Sequence, residues 1–143
     1  MTPAPVIGAA LVGAALFACA SAPVAGAATI ERVGPHLAHP WGLDFIGTDQ
    51  VLVTVRGGGL QRISLADGSA VDITGLPKVI ARRQGGMLDV MVDGPHVYLC
   101  YSADLGGKSS TAIDRARLEG DTLVERQTIF TGNNPARSGH HFG

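Results

Sequence analysis

The chain has 143 residues, 45% of them hydrophobic and 16% charged, with a formal net charge of −1. This length suits one domain of roughly 100–150 residues, and the balance of charge, without acidic or basic blocks, excludes nucleic acid and anionic membrane surfaces as partners. Twenty glycines and eight prolines fall mostly between short apolar runs, which predicts an all-β chain rich in turns.

Residues 1–27 form a separate object. From Val6 to Ala20 every side chain is apolar or small, and no charge appears before Glu31. Ala25-Gly26-Ala27 then offers a small-x-small cleavage pattern, so the stretch is predicted to be a secretory signal rather than a retained membrane span. Leu16-Phe17-Ala18-Cys19 opens a second route, because it resembles a bacterial lipobox that would lipidate Cys19. Phe17 fits that pattern poorly, and simple cleavage after Ala27 is preferred. The mature chain, 28–143, is thus expected to be periplasmic or secreted and without a stable membrane span, with a lipid anchor as the lesser route. By either route Cys100 is the only free thiol left, so no intrachain disulfide forms. It lies in Val97-Tyr98-Leu99-Cys100-Tyr101 and reads as a small buried hydrophobe.

Pro40 suits the start of a strand, and Trp41 to Ile46 is the first firm one. Val51 to Val55 follows, then the Gly57-Gly58-Gly59 turn and Leu60 to Leu65. Asp67-Gly68 turns the chain again into Ala70 to Thr74, and Gly75-Leu76-Pro77 closes the set. The second set begins at Met87 to Val92, turns at Asp93-Gly94-Pro95, and continues with Val97 to Ser102. A polar loop, Ala103 to Ser110, precedes Thr111 to Leu118, and Glu119-Gly120-Asp121 turns into Leu123 to Phe130. No segment sustains a helical period.

Each set predicts one four-stranded antiparallel meander. Gly42-Leu43-Asp44-Phe45 can be laid over Met87-Leu88-Asp89-Val90 at an offset of 45 residues. Four strands per unit at that period is the pattern of β-propeller blades, with a β-sandwich as the other arrangement compatible with the spacing. Two blades do not close a propeller, so the chain is expected to be the N-terminal part of a longer protein or a truncated product.

Several pieces, in order, resemble the soluble pyrroloquinoline-quinone (PQQ)-dependent glucose/sorbosone (aldose sugar) dehydrogenases. They are His39-Pro40-Trp41-Gly42-Leu43, Leu52-Val53-Thr54-Val55-Arg56, Gly75-Leu76-Pro77, Gln84-Gly85-Gly86-Met87-Leu88-Asp89-Val90 and Gly139-His140-His141-Phe142-Gly143. The likeness runs from about Ile30 to the end. It implies the first two blades of a six-bladed propeller, incomplete in this chain, and oxidation of an aldose sugar with an external electron acceptor.

By that resemblance His141 is the catalytic base that takes the proton of the anomeric hydroxyl while hydride passes to the quinone. Imidazole suits the task because its ordinary pKa lies near neutrality. Gln84 matches an active-site glutamine that hydrogen-bonds the sugar or the quinone. His140 stands where the family often has Asp or Asn, so it can exchange hydrogen bonds but supplies no fixed negative charge. The family's calcium needs about six to eight oxygen ligands, and no acidic cluster offers them. No metal site is therefore assigned. Most quinone and calcium ligands are expected from later blades, and the 143 residues alone are expected to be inactive. The alternative function is a non-catalytic secreted propeller that binds a glycan or protein partner, since one fold hosts many functions.

Other candidates take plainer readings. His36, His39, His140 and His141 lack the tight, regular spacing of zinc ligands. Trp41 is read as core packing rather than as a sugar platform, and Arg82 and Arg83 as solvated loop cations.

Overall fold

The computed structural model describes residues 28–140. The predicted signal with Cys19, and His141 at the other end, lie outside the described residues. All eight strands belong to the compact unit Glu31–Gly143. Among the described residues no helix is long and apolar enough to cross a membrane.

Sheet one is the meander β1 (Pro40–Ile46), β2 (Gln50–Val55), β3 (Gly59–Ser64) and β4 (Ala70–Asp72). Sheet two is the meander β5 (Met87–Asp93), β6 (His96–Asp104), β7 (Ser109–Glu119) and β8 (Thr122–Thr131). Every neighbouring pair is antiparallel. The turns follow the predicted chemistry: Gly58 takes φ 110°, and the Asp67 carboxylate accepts from the Ser69 amide at 3.0 Å. Left-handed φ is easy only for glycine, and a short acidic side chain closes a turn on its own backbone.

Two boundaries differ from expectation. The loop predicted over Ala103 to Ser110 shrinks to 105–108, because Asp104 pairs with Ser109 and the hairpin extends to that point. Thr74 is not the end of β4. Its amide donates to Asp121 O and its carbonyl accepts from Leu123, both at 2.9 Å, so sheet two takes up its backbone.

The register corrects the offset of the repeat while bearing out the repeat itself. Leu43 pairs with Val53, and Val90 pairs with Leu99. Leu43 and Val90 are therefore equivalent, 47 residues apart rather than 45, and Gly42 corresponds to Asp89. Both inner strands carry a register irregularity at the same place, between Pro40 and Leu43 in β1 and between Met87 and Val90 in β5. A bulge bends a strand and strengthens its twist.

The core lies between the sheets. Leu52, Leu60 and Ile73 of sheet one pack with Met87, Val90 and Leu99 of sheet two. Burying such a side chain fully contributes about 2 kcal/mol. Asp114 is also fully buried, held by the Tyr101 hydroxyl at 2.9 Å and by the Arg126 guanidinium at 2.5 Å. A smaller cluster of Val51, Val53 and Ile63 sits on the other face of sheet one, against Leu37. Trp41 is not core: it is 55% exposed, in an exposed stripe with Leu43 and Phe45. A strand-start residue is buried only if its face has a neighbour, and the described residues put none over this stripe.

Candidate functional site

The segment from Ile80 to Gly86 joins the sheets and carries Arg82, Arg83 and Gln84 to the start of inner strand β5. Both of its ends are tied to Ser102, a fully buried residue of β6. Its hydroxyl accepts from the Gly86 amide at 2.6 Å and donates to Ile80 O at 2.8 Å. Backbone bonds from Ile80 N to Ser102 O and from Ser102 N to Gly86 O, each 2.9 Å, close the same clamp. Gly86 has φ 148°, and a Cβ there would stand 2.0 Å from Arg56 O. Only glycine permits this approach. Met87 N then donates to Arg56 O at 3.0 Å, and Arg56 N to His39 O at 3.1 Å, so the starts of both inner strands are linked.

The last described residues arrive at the same place. Gln84 N donates to Gly139 O at 3.2 Å, and Arg82 Nη2 donates to Arg137 O at 2.7 Å. Ser109 and Ala136 exchange backbone bonds at 2.9 and 3.0 Å, which holds this strap to the beginning of β7. The structure thus brings Gln84 and the Gly139-His140 stretch together. The Gln84 side chain is exposed and His140 is half-buried. His140 lines a cavity of about 450 Å³ with Ser109, Ser110, Asn133, Asn134 and Ser138.

Two of the three non-glycine residues with left-handed φ among the described residues lie at this end: His39 (φ 58°), immediately before β1, and Arg83 (φ 55°), a few residues before β5; the third, Glu125, lies in β8. Such conformations persist only where their surroundings hold them, and they cluster at functional sites. The Arg56 guanidinium holds one of them through a bond to Arg83 O. Arg82 and Arg83 are exposed, but the Arg82 guanidinium and the Arg83 carbonyl are bound into the loop, which for Arg82 is more than the solvated role expected of it.

Among the described residues no three His, Cys, Asp or Glu side chains are grouped to hold a metal ion. These residues do not fit a calcium site. Cys100 is half-buried and burial pushes its thiol pKa up, with the Asp89 charge adding to the effect. A raised pKa suppresses the thiolate, so its chemistry is quiet. Sequence reasoning did not single out Ser102, Arg56 or Thr54. Thr54 and Arg56 stood in the chain as members of the resembling piece Leu52-Val53-Thr54-Val55-Arg56, and Ser102 only as a hydroxyl at the end of an apolar strand.

Two like-ordered four-stranded meanders, packed face to face and joined through a strained loop before the second inner strand, form an all-β fold of the kind that β-propeller blades have. The comparisons with known proteins narrow this. The Glucose / Sorbosone dehydrogenase family profile matches residues 37–143. Aldose sugar dehydrogenase YliI of Escherichia coli (strain K12) is 34% identical over 124 residues, covering 80% of this chain and 33% of its own. A crystal structure of a glucose dehydrogenase gives a TM-score of 0.75 at 33% identity, over 81% of this chain and 36% of that one. The PQQ-bound form of aldose sugar dehydrogenase from Streptomyces coelicolor has a TM-score of 0.64 at 22% identity, over 72% of this chain and 33% of that one, a likeness of fold.

The chain belongs to the PQQ-dependent glucose/sorbosone (aldose sugar) dehydrogenase family. Its all-β fold is related to that family's six-bladed propeller, and the described residues close no propeller. It spans about a third of the length of the curated relatives it matches.

Proposed function

We propose that this chain supplies the first two blades and one wall of the active site of an aldose-oxidising quinoprotein. The observation that supports it best is the hydrogen bond from Gln84 N to Gly139 O. It joins the two stretches that carry the family's glutamine and histidine, at the mouth of an inner strand.

In this reading His141 accepts the proton of the anomeric hydroxyl as the C1–H bond gives up hydride, leaving a lactone. PQQ, when bound, would supply the acceptor for that hydride. Gln84, exposed just before β5, would donate and accept hydrogen bonds at the sugar or quinone edge. His140 adjusts the neighbourhood of His141 without adding a fixed negative charge. Arg56 and Arg82 hold the loop that presents Gln84, the first through a bond to Arg83 O and the second through a bond to Arg137 O. No step is assigned to calcium.

Because they span about a third of the length of the relatives they match, these 143 residues by themselves are proposed to be inactive. Residues 1–27 are proposed to be an export signal, which places the protein in the periplasm or outside the cell. The test is dye-linked aldose oxidation by a polypeptide of full family length that contains this chain, reconstituted with PQQ. His141→Ala is expected to lower kcat by about 10²- to 10⁴-fold. Undiminished turnover overturns the assigned base.

A further inference from the structure

We propose that Ser102 is a positioning residue for Gln84, and that it is the counterpart in sheet two of Arg56 in sheet one. The register sets the equivalence. Pro40 pairs with Val55 as Met87 pairs with Tyr101, so the residues that follow, Arg56 and Ser102, occupy the same place in the two sheets. Arg56 N donates to His39 O at 3.1 Å, and Ser102 N donates to Gly86 O at 2.9 Å. His39 and Gly86 are thus equivalent too, and both take positive φ, 58° and 148°.

The sheets use this shared place differently, and both uses fall on one loop. Arg56 grips its middle, with the guanidinium bonded to Arg83 O, where φ is 55°. Ser102 grips its two feet, Ile80 and Gly86, with a hydroxyl that donates to the first and accepts from the second. Ser102 is fully buried, so water does not compete for either bond. Gly86 has no side chain to hold itself in place, and its amide bonds that hydroxyl.

Gln84 feels the foot directly. Gly85 N donates to Arg82 O at 2.9 Å, which makes Arg83 and Gln84 the central residues of a turn. Only Gly85 separates Gln84 from the Gly86 foot. A shift at Gly86 is therefore carried to Gln84, and through the bond from Gln84 N to Gly139 O it reaches the stretch that bears His140. One buried hydroxyl in β6 thus sets where the exposed Gln84 side chain stands.

The part of Gln84 in turnover rests on the function proposed above, whereas its placement by Ser102 does not. The test has two arms, both on a polypeptide of full family length that contains this chain, with circular dichroism to confirm folding. The first is amide hydrogen exchange without quinone. Because the Gly86 amide bonds the Ser102 hydroxyl, slow exchange is expected there in the unaltered protein, and fast exchange overturns the proposal without any variant. In Ser102→Ala, exchange from Gln84 to Gly86 is expected to quicken about 10-fold while β2 and β3 keep their protection. Val97→Ala, near the other end of β6, is the control and is expected to leave the loop unchanged.

The second arm is dye-linked aldose oxidation with PQQ. Ser102→Ala is expected to lower kcat about 10-fold, since a misplaced group loses much of its effect. Added to Gln84→Ala it is expected to lower kcat little further, because it acts through Gln84. A full additional loss in that background overturns the proposal, and so does unchanged exchange at the loop. If the unaltered protein oxidises no aldose, the proposed function fails, and the exchange arm still decides the placement of Gln84.

Discussion

Thr54 on β2 and Leu88 on β5 meet in a hydrogen bond of 2.6 Å, the hydroxyl donating to the carbonyl, with Thr54 fully buried. The same oxygen accepts from Gly42 N at 2.8 Å. One side chain thus ties both inner strands where their registers slip. Thr54→Val keeps the shape and strips both partners, so it is expected to cost about 1–3 kcal/mol in urea denaturation. Thr54→Ser is expected to recover most of that loss.

Gly86→Ala places a methyl group 2.0 Å from Arg56 O at φ 148°. The contact is with backbone, so no side chain can swing away. A loss of more than about 3 kcal/mol is expected, measured by thermal unfolding. The nearby Gly57 has open space around it, and Gly57→Ala is expected to change little.

Asp114 is buried against Tyr101 and Arg126, the arginine keeping 35% of its side chain exposed. Removing the carboxylate strands a hydroxyl and a half-buried cation. Asp114→Ala is therefore expected to destabilise by about 3 kcal/mol. Arg126→Met, which leaves the buried charge alone, is expected to cost as much or more. Denaturant midpoints measured side by side decide the order.

The Asp67 carboxyl is lowered from 3.8 to about 2, chiefly by its bond from the Ser69 amide and then by the Ser69 hydroxyl. A depressed folded-state pKa stabilises above the unfolded value and loses that contribution as pH falls through the folded one. Asp67→Asn is thus expected to lower stability on the neutral side, where the ionised carboxylate contributes, and to flatten the loss between about pH 4 and 2. Unfolding followed as a function of pH at low protein concentration checks this.

Much of the fold was legible in the chain. Glycine-rich turns separate short apolar runs, and each run became a strand within one or two residues at most ends. β6 and β7 ran longer because a hairpin continues for as long as both strands have partners, whatever the polarity of Ser109 and Ser110. The repeat was legible too, but not its offset. Gly42-Leu43-Asp44-Phe45 and Met87-Leu88-Asp89-Val90 align as letters at 45 residues, whereas hydrogen-bond pairing sets 47, because bulges place the pairing.

For the site, Gln84 and His140 could be nominated from the chain, being recognisable as side chains in an ordered set of motifs. That the Gln84 amide meets the Gly139 carbonyl across 55 residues could not be, nor could the clamp that Ser102 makes on both ends of the loop. Sequence alone determined strand content, turn positions and family, because these depend on local backbone preference and residue pattern. Tertiary structure alone decided which hydroxyls become staples, that Trp41 stands exposed, and which face of each sheet is left open. Those depend on what packs opposite a residue, and no local pattern encodes the neighbour.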